Sequence, residues 1–160
     1  MRLIKLAFIS FIVFFGIITA MSLLIPSHIR ISKAVSISRT DSVFYLINNV
    51  DQWPRWHPAF HGLDAGTALQ ASHITVTPVQ KNDSLVSMSW QQAGKTPVLN
   101  TWELHRFGET DSVALQWYMD FHLKWYPWQK FNSLLYEKTY GTMMEQGLNN
   151  IKRILQQKVS

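Results

Sequence analysis

"DSVALQWYMDFHL", residues 111–123, sets an apolar side chain at every second position: Val113, Leu115, Trp117, Met119, Phe121 and Leu123. Successive side chains of a β-strand point to opposite faces, so this spacing gathers all of them on one face of a sheet. Upstream, "PVLNTWELHRF" (97–107) does the same for Val98, Trp102 and Leu104. "SLVSMSWQQ" (84–92) pairs Val86, Met88 and Trp90 in parity, and "HITVTPV" (73–79) pairs Ile74 and Val76. Gly94-Lys95 and Phe107-Gly108-Glu109-Thr110 read as hairpin connections. A four-residue loop at the second predicts Leu104 opposite Val113, Trp102 opposite Leu115 and Arg106 beside Asp111.

Beyond this run of strands the period changes. Met144, Leu148, Ile151 and Leu155 recur at helical spacing and predict a C-terminal amphipathic helix. Phe131, Leu134 and Leu135 begin an earlier helical segment. Gly141 and Gly147 interrupt it, each at a cost of about 1 kcal/mol against alanine, which points to close packing or a kink. Before the strands, "HIRISKAVSIS" (28–38) puts Ile29, Ile31, Val35 and Ile37 on one face, with Lys33 the only polar intruder. "DSVFYLINN" (41–49) predicts a short helix capped by Thr40 or Asp41. "VDQWPRWHPAF" (50–60) is too broken by proline for helix or strand and reads as a loop. "GLDAGTALQAS" (62–72) is weakly patterned and reads as a loop or a poor edge strand.

The N-terminal run "LAFISFIVFFGIITAMSLLI" (6–25) carries no charge, and at 1.5 Å per residue it spans about 30 Å, one hydrocarbon core. A signal peptide has a shorter apolar stretch and a small-x-small site, whereas Ile18 precedes Ala20 here. The expectation is an uncleaved single-pass anchor over residues 1–27, ahead of one domain over 28–160. Arg2 and Lys5 favour a cytoplasmic N-terminus and an extracytoplasmic domain, against Arg30, Lys33 and Arg39 on the other side. With almost no linker after Pro26, the domain is expected to sit against the bilayer.

Composition narrows the chemistry. Cysteine is absent, which excludes disulfides, thiolate metal sites and cysteine nucleophiles. The net charge of +5 is spread out, with no basic run longer than Lys152-Arg153, so nucleic acid is not an expected partner. No Gly-rich phosphate loop, Gly-x-Ser-x-Gly elbow or Glu-x-x-His metal pair is present, and neither catalytic residues nor a metal or cofactor are expected. Glu103, His105, Asp120 and His122 share an outward parity and read as a solvated face. His57 and His61 are the better placed acid–base groups, beside the Trp-Pro segment at a cavity rim.

The element order, strand, short helix, Trp-Pro turn, antiparallel strands, long helix, resembles the START-like (SRPBCC) superfamily that contains polyketide cyclase-like proteins. "RISKAVSISRTDSVFYLINNVDQWPRW" looks like its opening strand, helix and W-P-x-W turn, and "YGTMMEQGLNNIKRIL" like its closing helix with the GL-x-x-I/L-K segment. Arg39-Thr40 stands where the family usually has a proline, and residues 62–72 are thin where it carries strands. The resemblance implies an α+β helix-grip fold, a curved antiparallel sheet wrapped around the C-terminal helix, here preceded by one transmembrane helix. It also implies a cavity between sheet and helix.

The aromatic set then reads as cavity wall: Trp90, Trp102, Trp117, Met119 and Phe121 from the sheet, with Trp53, Trp56 and Trp125 from bordering loops. Of Trp53 and Trp56, one is expected against the sheet and the other nearer the entrance. Lys33 is placed to meet a ligand's acidic group or to snorkel to the rim. The leading reading is a membrane-anchored module that binds a hydrophobic or amphipathic, lipid-like small molecule. The alternatives are an enzyme of the polyketide cyclase or hydrolase type and a ligand-free interaction domain.

Overall fold

The computed structural model describes residues 2–38, 42–106 and 113–157. An apolar helix α1 (Arg2–Ser22) leads into strand β1 (His28–Ile37). Short helices follow, α2 (Val43–Asn48), α3 (Trp53–Trp56) and α4 (Ala65–Ala71). Then come β2 (Ile74–Lys81), β3 (Leu85–Gln92), β4 (Val98–Arg106) and β5 (Val113–His122). Helix α5 (Pro127–Ser133), a π-helical turn (Glu137–Gly141) and the long α6 (Thr142–Gln157) complete the chain. The strands form one antiparallel sheet in the order β1-β5-β4-β3-β2. Pro78 sits in edge strand β2 beside a register shift, the kind of position to which proline is confined within sheets.

The alternating faces meet α6 as their periods require. Val113, Leu115, Trp117, Met119 and Phe121 are buried, and so are Met144, Leu148, Ile151 and Leu155 on the helix above them. Gly147 marks a close approach. A Cβ there would lie 3.0 Å from Trp117 Cζ3, 3.4 Å from Pro58 Cδ and 3.6 Å from Trp56 Cε3, so α6 passes directly over two indoles. Lys33, the intruder on β1, places Nζ 2.7 Å from Glu137 Oε1 in the π turn and so ties the start of the grip to the sheet.

Three expectations are corrected. In the β4–β5 hairpin Leu104 pairs with Leu115, Trp102 with Trp117 and Arg106 with Val113, a slip of two residues from the predicted register. A slip of two keeps every side chain on its face, so alternation is blind to it; Asp111 and the connection at 107–112 lie outside the described residues. Residues 65–71 are helical, because Asp64 Oδ1 accepts the Thr67 N–H at 2.7 Å and caps a turn that buries Ala65 and Leu69. The Trp-Pro segment is also helical. Pro54 occupies the first turn of α3, where a backbone N–H has no intrahelical partner to lose. The predicted caps Thr40 and Asp41 lie outside the described residues.

Both tryptophans of that segment are core plugs, so neither stands at an entrance. Trp53 is 0% and Trp56 1% exposed. Their indole N–H groups donate to the carbonyl oxygens of Ile47 (2.8 Å) and Leu46 (2.9 Å), satisfying the C-terminal end of α2. Asn150 Nδ2 donates to the Trp56 carbonyl at 3.0 Å and fastens α6 to the same turn.

Candidate ligand cavity

Between the sheet and the start of α6 lies a cavity of about 250 Å³. Trp90, Val98, Met119 and Phe121 come from β3, β4 and β5 and form its apolar floor. Tyr140 and Met143 close it from the helical side, His57 and Ala59 from the turn after α3. Gln92, Lys95 and Thr96 edge it at the β3–β4 turn, where Gly94 takes a φ of 77° that favours glycine. A second, more polar depression of about 250 Å³ shares Lys95, Thr96, Val98, Phe121 and Tyr140, and extends to Gln129 and Asn132 of α5. A depression of about 390 Å³ between Pro58 and α6 is shallow and open, lined by His61, Gln146, Asn149, Asn150 and Arg153.

What singles out the first cavity is its polar inventory. Four buried side-chain atoms have no protein partner among the described residues: His57 Nε2, Trp90 Nε1, Asn100 Nδ2 and Trp102 Nε1. Three of these four residues, all but Trp102, line the cavity. An unmet buried group costs about 1–3 kcal/mol, so an apolar pocket that retains three is unusual. Asn100 is held by Trp117, whose Nε1 donates to Asn100 Oδ1 at 3.1 Å. His57 is 1% exposed and ringed by Trp56, Phe60, Trp90 and Trp117, with centroids at 5.1, 4.9, 5.6 and 5.5 Å. Burial pushes its pKa down to about 3, so the imidazole is neutral at physiological pH. Burial, then the neighbouring Tyr136, pushes the Tyr140 phenol up.

No protein-family model and no curated protein matches the sequence. Solved structures do match the fold. A START superfamily protein from Mycobacterium smegmatis superposes with a TM-score of 0.52 at 16% identity, covering 81% of this chain and 99% of that one. The di-domain ARO/CYC protein StfQ of the steffimycin biosynthetic pathway gives 0.59 at 9% identity, over 82% of this chain and 51% of StfQ. CalU16 from Micromonospora echinospora gives 0.50 at 15% identity, over 80% and 73%. The chain has a START-like, helix-grip fold.

Within this START-like domain the predicted wall residues divide. Trp90, Met119 and Phe121 line the cavity. Trp102 and Trp117 are fully buried behind it, stacked at 5.1 Å and capped edge-on by Trp56. Trp125 stands apart, 64% exposed beside α5. His57 lies in the wall rather than on the rim, and His61 is exposed. Asn100, Tyr140 and Met143 went unread in the sequence. Asn100 had a signal, being a polar residue on the inward parity of β4 set between the apolar Val98 and Trp102.

The outward face of the START-like sheet is polar but not simply solvated. Asp120 is 3% exposed beneath Arg30 and His28, taking hydrogen bonds from Arg30 Nε (2.7 Å) and Nη2 (3.0 Å) and lying 3.1 Å from His28 Nε2. Burial alone pushes its carboxyl up, but the bonds and charges of Arg30 and His28 outweigh that and hold it below the usual range. Glu103 instead accepts from the Tyr118 hydroxyl, and burial followed by this bond pushes the phenol up to about 12. Of the other two predicted outer residues, His122 stacks on His28 at 4.6 Å and His105 lies 3.5 Å from Glu103, and Arg30, 5.3 Å over the Tyr118 ring, links the two groups across the sheet. Among the described residues no group of three or more His, Asp or Glu is arranged to hold a metal ion.

Proposed function

We propose that the chain is a membrane-tethered START-like module, anchored through residues 1–27, whose domain over 28–160 holds a compact hydrophobic or amphipathic small molecule outside the cytoplasm. The observation that carries the binding half is the apolar cavity with unmet polar atoms in its wall. Ligand pockets run from about 300 to 1,000 Å³. At about 250 Å³ this one suits a small ring system or the end of a longer molecule better than a whole two-chain lipid. The tether rests on α1, a 21-residue helix of mean hydropathy 2.4 whose apolar surface is uncovered.

Binding is favoured over catalysis by the state of the lining groups. A general acid or base works best with a pKa near the operating pH. His57 is driven down to about 3 and Tyr140 is driven up, so neither is poised for proton transfer at neutrality. The cyclase-type reading would require a poised group that the lining lacks.

The test is native mass spectrometry of the full chain from gentle detergent, with Val98→Phe and Met143→Phe as cavity-filling variants. A co-purifying small molecule that both variants lose, with α6 still folded by circular dichroism, is the expected result. Retention of the molecule by both filled variants would move the site elsewhere. For the tether, a C-terminal reporter active only in the cytoplasm should be silent; activity would reverse the orientation.

A further inference from the structure

We infer that the cavity, if it binds as proposed above, selects a neutral ligand through a hydrogen-bond acceptor such as a ketone, ester or quinone oxygen, because its unmet groups are all donors. Two local contacts fix this. His57 Nδ1 accepts the Ala59 backbone N–H at 3.3 Å, so its lone pair points into the turn and the ring proton sits on Nε2. Asn100 Oδ1 accepts from Trp117 Nε1, so the free end of the amide is Nδ2, which only donates. Trp90 Nε1 is a donor by constitution. The residues that line the cavity thus carry unmet N–H groups from three elements, each closed off from solvent, with no unmet buried acceptor and no buried cation among the described lining residues.

A ligand hydroxyl or amine finds no acceptor among these three buried groups, only the half-buried Thr96 and Tyr140 hydroxyls and the Gln92 amide oxygen elsewhere in the lining. A carboxylate finds donors, but it must shed its water in an apolar pocket whose one ammonium, Lys95, is exposed at the mouth. A neutral carbonyl is the group whose lone pairs match the donors without that desolvation.

The experiment compares isosteric probes on the full chain in detergent, by fluorescence titration: 2-acetylnaphthalene, its hydrocarbon twin 2-isopropenylnaphthalene, and 2-naphthoate. The ketone is expected to bind about tenfold more tightly than the alkene, equivalent to about 1.4 kcal/mol, and more tightly than the carboxylate. Asparagine at position 57 keeps an acceptor for the Ala59 N–H but cannot reach the Nε2 position, whereas glutamine reaches it. His57→Asn should thus reduce the ketone's advantage to threefold or less with alkene affinity unchanged, and His57→Gln should keep most of it. Equal binding of ketone and alkene by the wild type, or tightest binding of the carboxylate, overturns the inference. Binding of no probe overturns the cavity reading and this inference with it.

A separate observation concerns α5 and the residues that flank it, and here we propose that their exposed apolar side chains lie in the bilayer interface that α1 enters. Trp125, Trp128 and Leu134 are 64%, 62% and 65% exposed, with Leu135 and Phe131 beside them. Such a patch is a liability in water. It is pinned to the short connection between α1 and β1: Lys130, 3% exposed, donates from Nζ to the Ile25 carbonyl and to Ser27 Oγ, each at 2.7 Å. The patch thus continues the exposed Leu23 and Leu24 at the end of α1, and Trp and Tyr rings are enriched at the headgroup level. Gln129 and Asn132 of the same helix edge the depression that shares walls with the cavity, so this docking would present the cavity mouth to the lipid surface.

The test places the full chain in phosphatidylcholine vesicles carrying lipids brominated near the headgroup end of the acyl chain. Quenching of tryptophan emission is expected, and Trp125→Phe with Trp128→Phe should abolish most of it. Equal quenching in the two proteins, or none while the wild type floats with the vesicles, overturns the docking of α5. A chain that does not float overturns the tether and the docking together.

Discussion

Gly147→Ala sets two effects of known size against each other. In a helix interior alanine is worth about 1 kcal/mol over glycine, which alone would stabilise α6. Against it stands the Trp117 ring, 3.0 Å from the added methyl's position, a separation at which one of the two must give. Trp117 has nowhere to go. It is fully buried, stacked on Trp102 at 5.1 Å, abutted edge-on by Trp56 at 5.8 Å, and hydrogen-bonded to Asn100. Overpacking a filled core costs about 1–3 kcal/mol, and against a ring held on every side the cost falls in the upper part of that range, about 2–3 kcal/mol, so the variant should lose about 1–2 kcal/mol net. For a domain of this size that lowers Tm by roughly 3–6 °C. Denaturant and thermal unfolding of the full chain in one detergent measure it, followed by circular dichroism. Because Trp117 also orients Asn100, the ketone preference of the cavity should weaken in the same variant. A Tm equal to or above the wild type would refute the reasoning: it would mean that α6 rises freely off the sheet.

His57 supplies a pH signature. Its unfolded pKa of 6.5 exceeds the folded value of about 3, so the unfolded chain takes up the proton first and stability is lost as pH falls below 6.5. The slope approaches about 1.4 kcal/mol per unit, so wild type should lose about 2 kcal/mol between pH 7 and 5 that His57→Gln does not; parallel curves for the two proteins would contradict it. Ile151→Ala, under the sheet at 0% exposure, should cost about 2–5 kcal/mol in the same unfolding assay. Asp64→Ala should cost about 1 kcal/mol by uncapping α4, and a neutral result would mean that α4 is held by burial of Leu69 alone.

Periodicity carried much of the architecture. The alternation through residues 113–123 and the stripe from Met144 to Leu155 each name a buried face, because side-chain direction follows from backbone geometry before any partner is chosen. The uncharged run of α1 is equally local, a matter of length and composition. Tertiary structure decided what depends on partners distant in sequence. The β4–β5 register needed the other strands, since a slip of two leaves every face unchanged. The half-exposed α4 has too little apolar face to show a period, and only its capping Asp64 betrays it. Trp53 and Trp56 reveal their role only when α2's last carbonyls arrive to accept their N–H groups. Trp125, read as cavity wall, is kept outside because Lys130 fixes α5 against the short connection between α1 and β1, a contact across about a hundred residues. Above all, the free donors of His57 and Asn100 exist because Ala59 and Trp117 have taken the other ends of those side chains. Sequence names the amide and the imidazole; packing decides which of their atoms remain to meet a ligand.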